Sequence, residues 1–333
     1  MIVTVTPNPA EDLTWHVDRL SPGETHRVAA GASRAGGKGI NVARVLAAEG
    51  HEVLALATAG GTTGAGLAGD LDRSGLRHAL VPIAGETRRS IAIVDETSGE
   101  TSILNEHGAA LSPAEASDLV TEAARLGRTA SVVVISGSLP PGLDPDAIAA
   151  LVAELIAAGV AVVVDTSGPG LMAAARAGAT VLKPNRDELA TVTGESDPVV
   201  GAQVLLDAGA HIVVVSLGAD GLLVLNATGP GRGIRCRLPK PLHGNATGAG
   251  DAAVAAIAAS LAEHPELRTA GDAAGSTDGT APDTTAARIA MARRATAWSA
   301  SAVLMPLAGA LSPDHAALEA EVVVSTLELR DSA

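Results

Sequence analysis

The chain has 333 residues, 47% of them hydrophobic, which is ample material for a sizeable core and excludes a largely disordered protein. A formal net charge of −14 repels a phosphodiester backbone, and the absence of Phe and Tyr, with only Trp15 and Trp298 present, removes the stacking rings of single-strand binders, so no nucleic-acid partner is expected. The single cysteine, Cys236, can form neither an internal disulfide nor a multi-thiolate zinc centre, and fits a reducing cytoplasm.

The opening MIVTVT begins a series of short β-branched runs that continues with SVVVIS (131–136), VAVVVD (160–165) and HIVVVSLG (211–218). They are apolar throughout instead of alternating, the pattern of strands buried on both faces. No basic segment followed by a long apolar stretch stands at the N-terminus, and acidic residues or glycines interrupt every later apolar run. Neither export nor membrane insertion is expected. Residues 10–34 break the rhythm: mixed polar and apolar residues around SPGE (21–24) predict exposed antiparallel strands forming a small lid, and 86–107, with ETSGE at 96–100, repeats that signature.

RAGGKGINVARVL (34–46) reads as a strand-like approach, a glycine turn and a helix start. It is not a Walker A loop, because Ala32 stands where the first glycine is needed and Gly39 where Ser or Thr is required. Lys38 and Asn41 suit a sugar hydroxyl or a phosphate; a solvated lysine on a tight turn is the plain alternative. GINVARVLAAEG (39–50) carries a broad apolar face and ends at Gly50. Arg88 and Arg89 alternate on a predicted strand, so only one faces inward, where a guanidinium suits bidentate phosphate capture.

Three later segments, VISGSLPPG (134–142), VLKPNRDEL (181–189) and VVVSLGADG (213–221), place Ser, Gly, Asn and Glu at strand ends, where open parallel sheets bind ligands. Asn185 and Glu188 also match a helix-capping pair. In HGNATGAGDAAVAA (243–256) the glycines permit close backbone approach. The amides of Ala249, Gly250 and Asp251 would point out of a helix N-terminus, where free N–H groups and the helix dipole attract anions. A simple capped helix explains the same residues, and the segment alone leaves both readings open. Residues 264–285, rich in Gly, Thr, Asp and Pro, read as a long mobile connection to a helix at 286–303. No internal repeat is visible, and strands alternating with helices predict a largely parallel sheet covered on both sides.

In order, TVTPNPAEDLT, AGGKGINVARVL, TRRSIAIV, ILNEHG, VISGSLPPG, KPNRDEL, VVVSLGADG and TGAGD resemble the phosphofructokinase B family of ribokinase-like sugar kinases, over residues 2 to about 258. GGKGINVAR with SGSLPPG and KPN is similar to the branch holding 1-phosphofructokinases, tagatose-6-phosphate kinases and minor 6-phosphofructokinases. The resemblance implies one kinase domain over 1–333: a ribokinase-like three-layer α/β/α sandwich with a mainly parallel central sheet and a small β-sheet lid. It further implies ATP as donor, Mg²⁺ as charge partner, a phosphorylated ketohexose as acceptor and a homodimer formed through the lids.

Residue by residue, the resemblance makes Asp251 the general base and Gly248, Ala249 and Gly250 the anion hole. It assigns Asp12, Gly37, Lys38, Asn41, Arg88 and Ser138 to the acceptor, with Asp12 on sugar hydroxyls, Lys38 or Arg88 at the existing phosphate, and Arg27 as a further candidate there. Asn185, Ser216, Gly218 and Gly221 fall on the nucleotide side, and Glu188 matches the position that helps hold hydrated Mg²⁺. Lys38, where the minor 6-phosphofructokinase pattern has glycine, points to fructose 1-phosphate or tagatose 6-phosphate. TRRSIAIVDETSGETSILNEHG looks closest to tagatose-6-phosphate kinases, while NATGAGDAA departs from the usual TVGAGDS in its flanks. A kinase of an unphosphorylated sugar or nucleoside and a non-catalytic sugar-phosphate binder are the alternatives on this fold; the retained Asp251 argues against the second.

Overall fold

The computed structural model describes residues 1–227, 232–268 and 284–328. The chain runs through β1 (Ile2–Thr6), β2 (Ala10–Val17), β3 (Ala32–Gly36), α1 (Lys38–Ala48), β4 (Val53–Ala59), α2 (Gly61–Ser74), β5 (His78–Pro82), β6 (Arg88–Asp95), β7 (Thr101–Asn105) and α3 (Pro113–Gly127). It continues with β8 (Val132–Ser136), α4 (Pro145–Ala157), β9 (Ala161–Asp165), α5 (Pro169–Arg176), β10 (Val181–Leu182), α6 (Arg186–Thr193), α7 (Pro198–Asp207) and β11 (Ile212–Ser216). Last come β12 (Leu222–Asn226), β13 (Arg232–Arg237), α8 (Ala249–Glu263), α9 (Thr285–Val303), α10 (His315–Glu321) and β14 (Val323–Glu328).

The apolar runs pair into a ten-stranded sheet ordered β14-β13-β12-β11-β10-β9-β8-β1-β4-β5. It is parallel from β5 to β11 and antiparallel at the β12–β14 edge. Successive side chains point to opposite faces, and both faces are covered. Val3, Val5, Val133 and Ile135 enter a core with α3, α4, α5 and α7, whereas Ile2, Val132 and Val134 enter a second core with α1, α8 and α9. This is why the strand sequences do not alternate, and it gives the three-layer sandwich expected of the sequence.

A separate four-stranded sheet, β3-β2-β6-β7, forms the predicted lid. One expectation is corrected: its central pair, β2 with β6, is parallel, and only the flanking pairs are antiparallel. Ala10–Val17 and Arg88–Asp95 both leave the body in the same direction, so they meet side by side in parallel. Of the predicted 264–285 connection, Pro265–Leu267 make one short turn of helix, and 269–283 lie outside the described residues. No helix among the described residues is long and apolar enough to cross a membrane.

Candidate active site

The carboxyl ends of β1, β8, β9, β10 and β11 face one edge of the large sheet, as do the starts of α1, α6 and α8, and the small sheet overhangs that edge. Between them lies a cleft of about 800 Å³. Its walls include Asp12, Gly37, Lys38, Asn41, Arg88, Ser138, Asn185, Glu188, Ser216, Gly248, Gly250 and Asp251, so segments far apart in sequence meet in one place. Ala249 begins α8, but its amide already donates to the Ala246 carbonyl (3.2 Å). Gly218 and Gly221 sit on the turn after β11, outside the cleft wall, and Gly221 packs against the Cys236 carbonyl of β13, which leaves no room for a side chain. Arg27 is exposed on the β2–β3 connection and does not line the cleft.

Asp251 lies in the first turn of α8, only 5% exposed, and its Oδ2 accepts a 2.8 Å hydrogen bond from Asn41 Nδ2. Burial pushes its carboxyl up to about 6; Asp165 adds to that rise and Lys38 opposes it. The residue ahead of the helix, Gly248, has φ +85°, a left-handed conformation that favours glycine. This turn leaves the amides of Gly250 and Asp251 without a hydrogen-bond partner among the described residues. Helix start and buried carboxyl therefore coincide: amides able to bind an anion and a group able to accept a proton stand within one turn.

Two lysines face the same spot. Asp165, fully buried at the end of β9, holds Lys183 Nζ at 3.2 Å and Lys38 Nζ at 3.4 Å and accepts from Ser136 Oγ at 3.2 Å. Burial would raise its carboxyl, but the two ammonium groups win and keep it below the ordinary carboxylate range. For Lys38 burial works against the charge, yet Asp165, Glu188 and Asp251 hold its ammonium above the usual value, so it stays cationic. A methyl added at Gly250 would lie 3.6 Å from Lys183 Nζ, which puts this ammonium beside the helix start.

Asn185 and Glu188 cap α6 reciprocally: Glu188 N donates to Asn185 Oδ1 (2.8 Å) and Asn185 N to Glu188 Oε2 (2.9 Å). The capping reading of this pair thus holds, and it still leaves Glu188 Oε1 in the cleft, 3.7 Å from Lys38 Nζ. Among the described residues no cluster of three His, Cys, Asp or Glu side chains could cage a metal. Glu188, its Oε1 left in the cleft by the cap, suits Mg²⁺ that keeps its waters and is bound chiefly by phosphates.

At the far end of the cleft, Arg88 donates from Nε to the Asn8 carbonyl (3.2 Å) and from Nη1 to the Glu106 carbonyl (3.3 Å). Asn8 Nδ2 in turn donates to the His107 carbonyl (3.0 Å) and to Ser138 Oγ (3.1 Å). Asp12, on β2 between this group and Asp251, is raised to about 6, first by burial and then by Asp251, against the pull of Arg88. Reading the sequence missed Asn8, Asp165 and Lys183. Each had a faint signal: Asn8 between two prolines, Asp165 as the acid ending an apolar run, Lys183 directly after a strand at the rim.

The pfkB family carbohydrate kinase profile matches residues 10–277. The chain is 39% identical over 272 residues to a 1-phosphofructokinase from Xanthomonas campestris pv. campestris, covering 78% of this chain and 83% of the relative. It superimposes on phosphofructokinase-2 from Escherichia coli in complex with fructose-6-phosphate with a TM-score of 0.80 at 30% identity, covering 96% of this chain and 98% of the other. A possible 1-phosphofructokinase from Thermotoga maritima shares the fold with a TM-score of 0.83 at 24% identity, over 98% of this chain and 100% of the other. By the profile and the curated relative together, the chain belongs to the pfkB family of carbohydrate kinases and is an ATP-dependent sugar kinase.

Proposed function

We propose that the protein phosphorylates a ketohexose monophosphate, fructose 1-phosphate in the first place, to the bisphosphate. The observation that carries this reading is the placement of a buried carboxyl, raised to about 6, at a helix start with free amides, opposite an arginine held by backbone carbonyls. Asp251 takes the proton of the acceptor hydroxyl as that oxygen attacks the γ-phosphorus and the bond from phosphorus to the bridging oxygen of ADP breaks. Negative charge on the moving phosphoryl group meets the Gly250 and Asp251 amides, Lys183 and Lys38. Glu188 would hold Mg²⁺ through water, and the ion would offset charge on the ATP phosphates.

At the acceptor end, Asp12 takes sugar hydroxyls while Arg88 and Ser138 take the existing phosphate. Of Lys38 and Arg88, the arginine fits the acceptor phosphate better, because Lys38 is drawn to Asp165 and Glu188 on the nucleotide side. The open edge of the small sheet at β7, exposed along its whole length, supports pairing of two chains through their small sheets, which the sedimentation velocity of the purified protein checks.

The reading is tested by steady-state assays with ATP and Mg²⁺ on fructose 1-phosphate, tagatose 6-phosphate, fructose 6-phosphate and free fructose. Highest kcat/KM for fructose 1-phosphate is expected. Preference for tagatose 6-phosphate would move the reading to that acceptor, and preference for free fructose would remove the acceptor-phosphate site from it.

A further inference from the structure

The helix start that carries Asp251 is not self-supporting. Ala308 packs directly against Gly248: a methyl added there would come within 2.7 Å of the Ala308 Cβ and 2.8 Å of its Cα. The next residue, Gly309, lies so close to α1 that an added methyl would stand 3.3 Å from the Cα of Asn41, the residue that holds the Asp251 carboxylate. The 304–309 turn therefore backs both the anion-binding helix start and the side chain that aims the base.

Two side chains fix this turn from opposite directions. On the body side, Asn245 Nδ2 donates to the Pro306 carbonyl (3.2 Å), while its Oδ1 accepts from the Thr247 amide (3.0 Å). From the small sheet, Arg34 Nη1 donates to the Ala308 carbonyl (2.9 Å). Arg34 sits on β3 directly across from Asp12 on β2, so the strand pair that presents a side chain to the acceptor also grips the turn behind the anion-binding amides. Burial and then Arg44 hold its guanidinium below the usual value, against the pull of Asp70 and Asp12. A methionine of similar length would keep the apolar stem and lose the donor.

We propose that Arg34 is a positioning residue for phosphoryl transfer: it couples the small sheet to the Gly248–Asp251 helix start through the Ala308 carbonyl. The inference rests on the kinase reading above. Since a single N–H to a carbonyl is the working contact, lysine can replace arginine here, which would not hold if the guanidinium gripped a phosphate bidentately.

The experiment compares wild type, R34M, R34K and N245A with fructose 1-phosphate, ATP and Mg²⁺, alongside thermal unfolding. In R34M, kcat is expected to fall about tenfold or more, with both KM values within about threefold and Tm little changed, because misplacement of the helix start acts on the chemical step. R34K recovers most of kcat. N245A, which frees the same turn from the other side, lowers kcat in the same way, and R34M/N245A loses less than the product of the two effects. Unimpaired kcat in R34M overturns the proposal. So does a rise in the acceptor KM alone, or failure of R34K to rescue; either would make Arg34 a direct ligand. Should R34M not fold, R34K and N245A decide: N245A with wild-type kcat overturns it. A wild-type enzyme inactive on every acceptor defeats the kinase reading itself, a result distinct from all of these.

Discussion

Asp251 and Asp12 are two carboxyls held near 6 for the same first reason, burial; the like charge of Asp165 adds to the rise of Asp251, and that of Asp251 to the rise of Asp12. In its proposed role as base Asp251 must be ionised, so kcat/KM is expected to fall as pH drops through about 6. Asp12, in its proposed role on sugar hydroxyls, must also be ionised to accept from them, so log kcat/KM should steepen toward a slope of about two below pH 6, returning toward one in D12N. Stability runs the other way. A carboxyl whose folded value lies above its unfolded one stabilises the native state below the unfolded value and loses that contribution as pH rises through about 6. D251N should therefore lower kcat by about 10²–10⁴-fold while raising unfolding stability at pH 7.5 by on the order of 1–2 kcal/mol, with little gain at pH 4. Pairing pH-rate profiles with urea titrations at both pH values tests this; a pH-independent kcat/KM between 5 and 8 would contradict the assignment of Asp251.

At the scale of elements, the cleft is assembled where strand ends meet helix starts, and the joint is the Asp165 ion cluster. β9 supplies the carboxylate, the residue after β10 supplies Lys183, and the first residue of α1 supplies Lys38. Lys183 is 3% exposed, so removing its partner strands a buried cation. D165N is expected to cost about 3–5 kcal/mol of unfolding stability, and D165N/K183M to recover a large part of it, because the double change removes the buried charge as well. Equal midpoints for wild type and D165N in urea would show that solvent reaches the cluster. This cluster was the least legible part of the site. VVVD reads as a strand reaching its polar end, and nothing local says that two lysines from other elements converge on that acid. The helix start at Gly248–Asp251 was half legible, since capping and anion binding use the same amides, and only Asn41, Lys183 and Arg88 around it separate the two uses.

For the whole molecule, the layering was readable because burial on both faces leaves an uninterrupted apolar run, a signal carried by each strand alone. The partner of each strand was not: that β2 lies parallel to β6 follows from where two distant segments leave the body, which no local pattern encodes. The same contrast separates the parts energetically. The large sheet is buried between two cores, whereas β7 is exposed along its whole length and β6 is at best half-buried, so the small sheet depends on few anchors, among them Arg34 on Ala308 and Arg89 on Thr63 Oγ1 (3.0 Å). Elements with little apolar burial open at lower free energy than the core. The two tryptophans divide between these parts, Trp15 on β2 and Trp298 buried in α9. In W298F the remaining emission reports the small sheet alone, while far-UV circular dichroism reports mostly the body. The Trp15 urea midpoint is expected to precede the circular-dichroism midpoint, and saturating fructose 1-phosphate with a non-hydrolysable ATP analogue should close the gap, because ligands bound as proposed, between Asp12 and the α8 start, need both parts in place. Coincident midpoints without ligand would mean that the small sheet unfolds with the body as one unit, its few anchors sufficient to hold it until the core itself gives way.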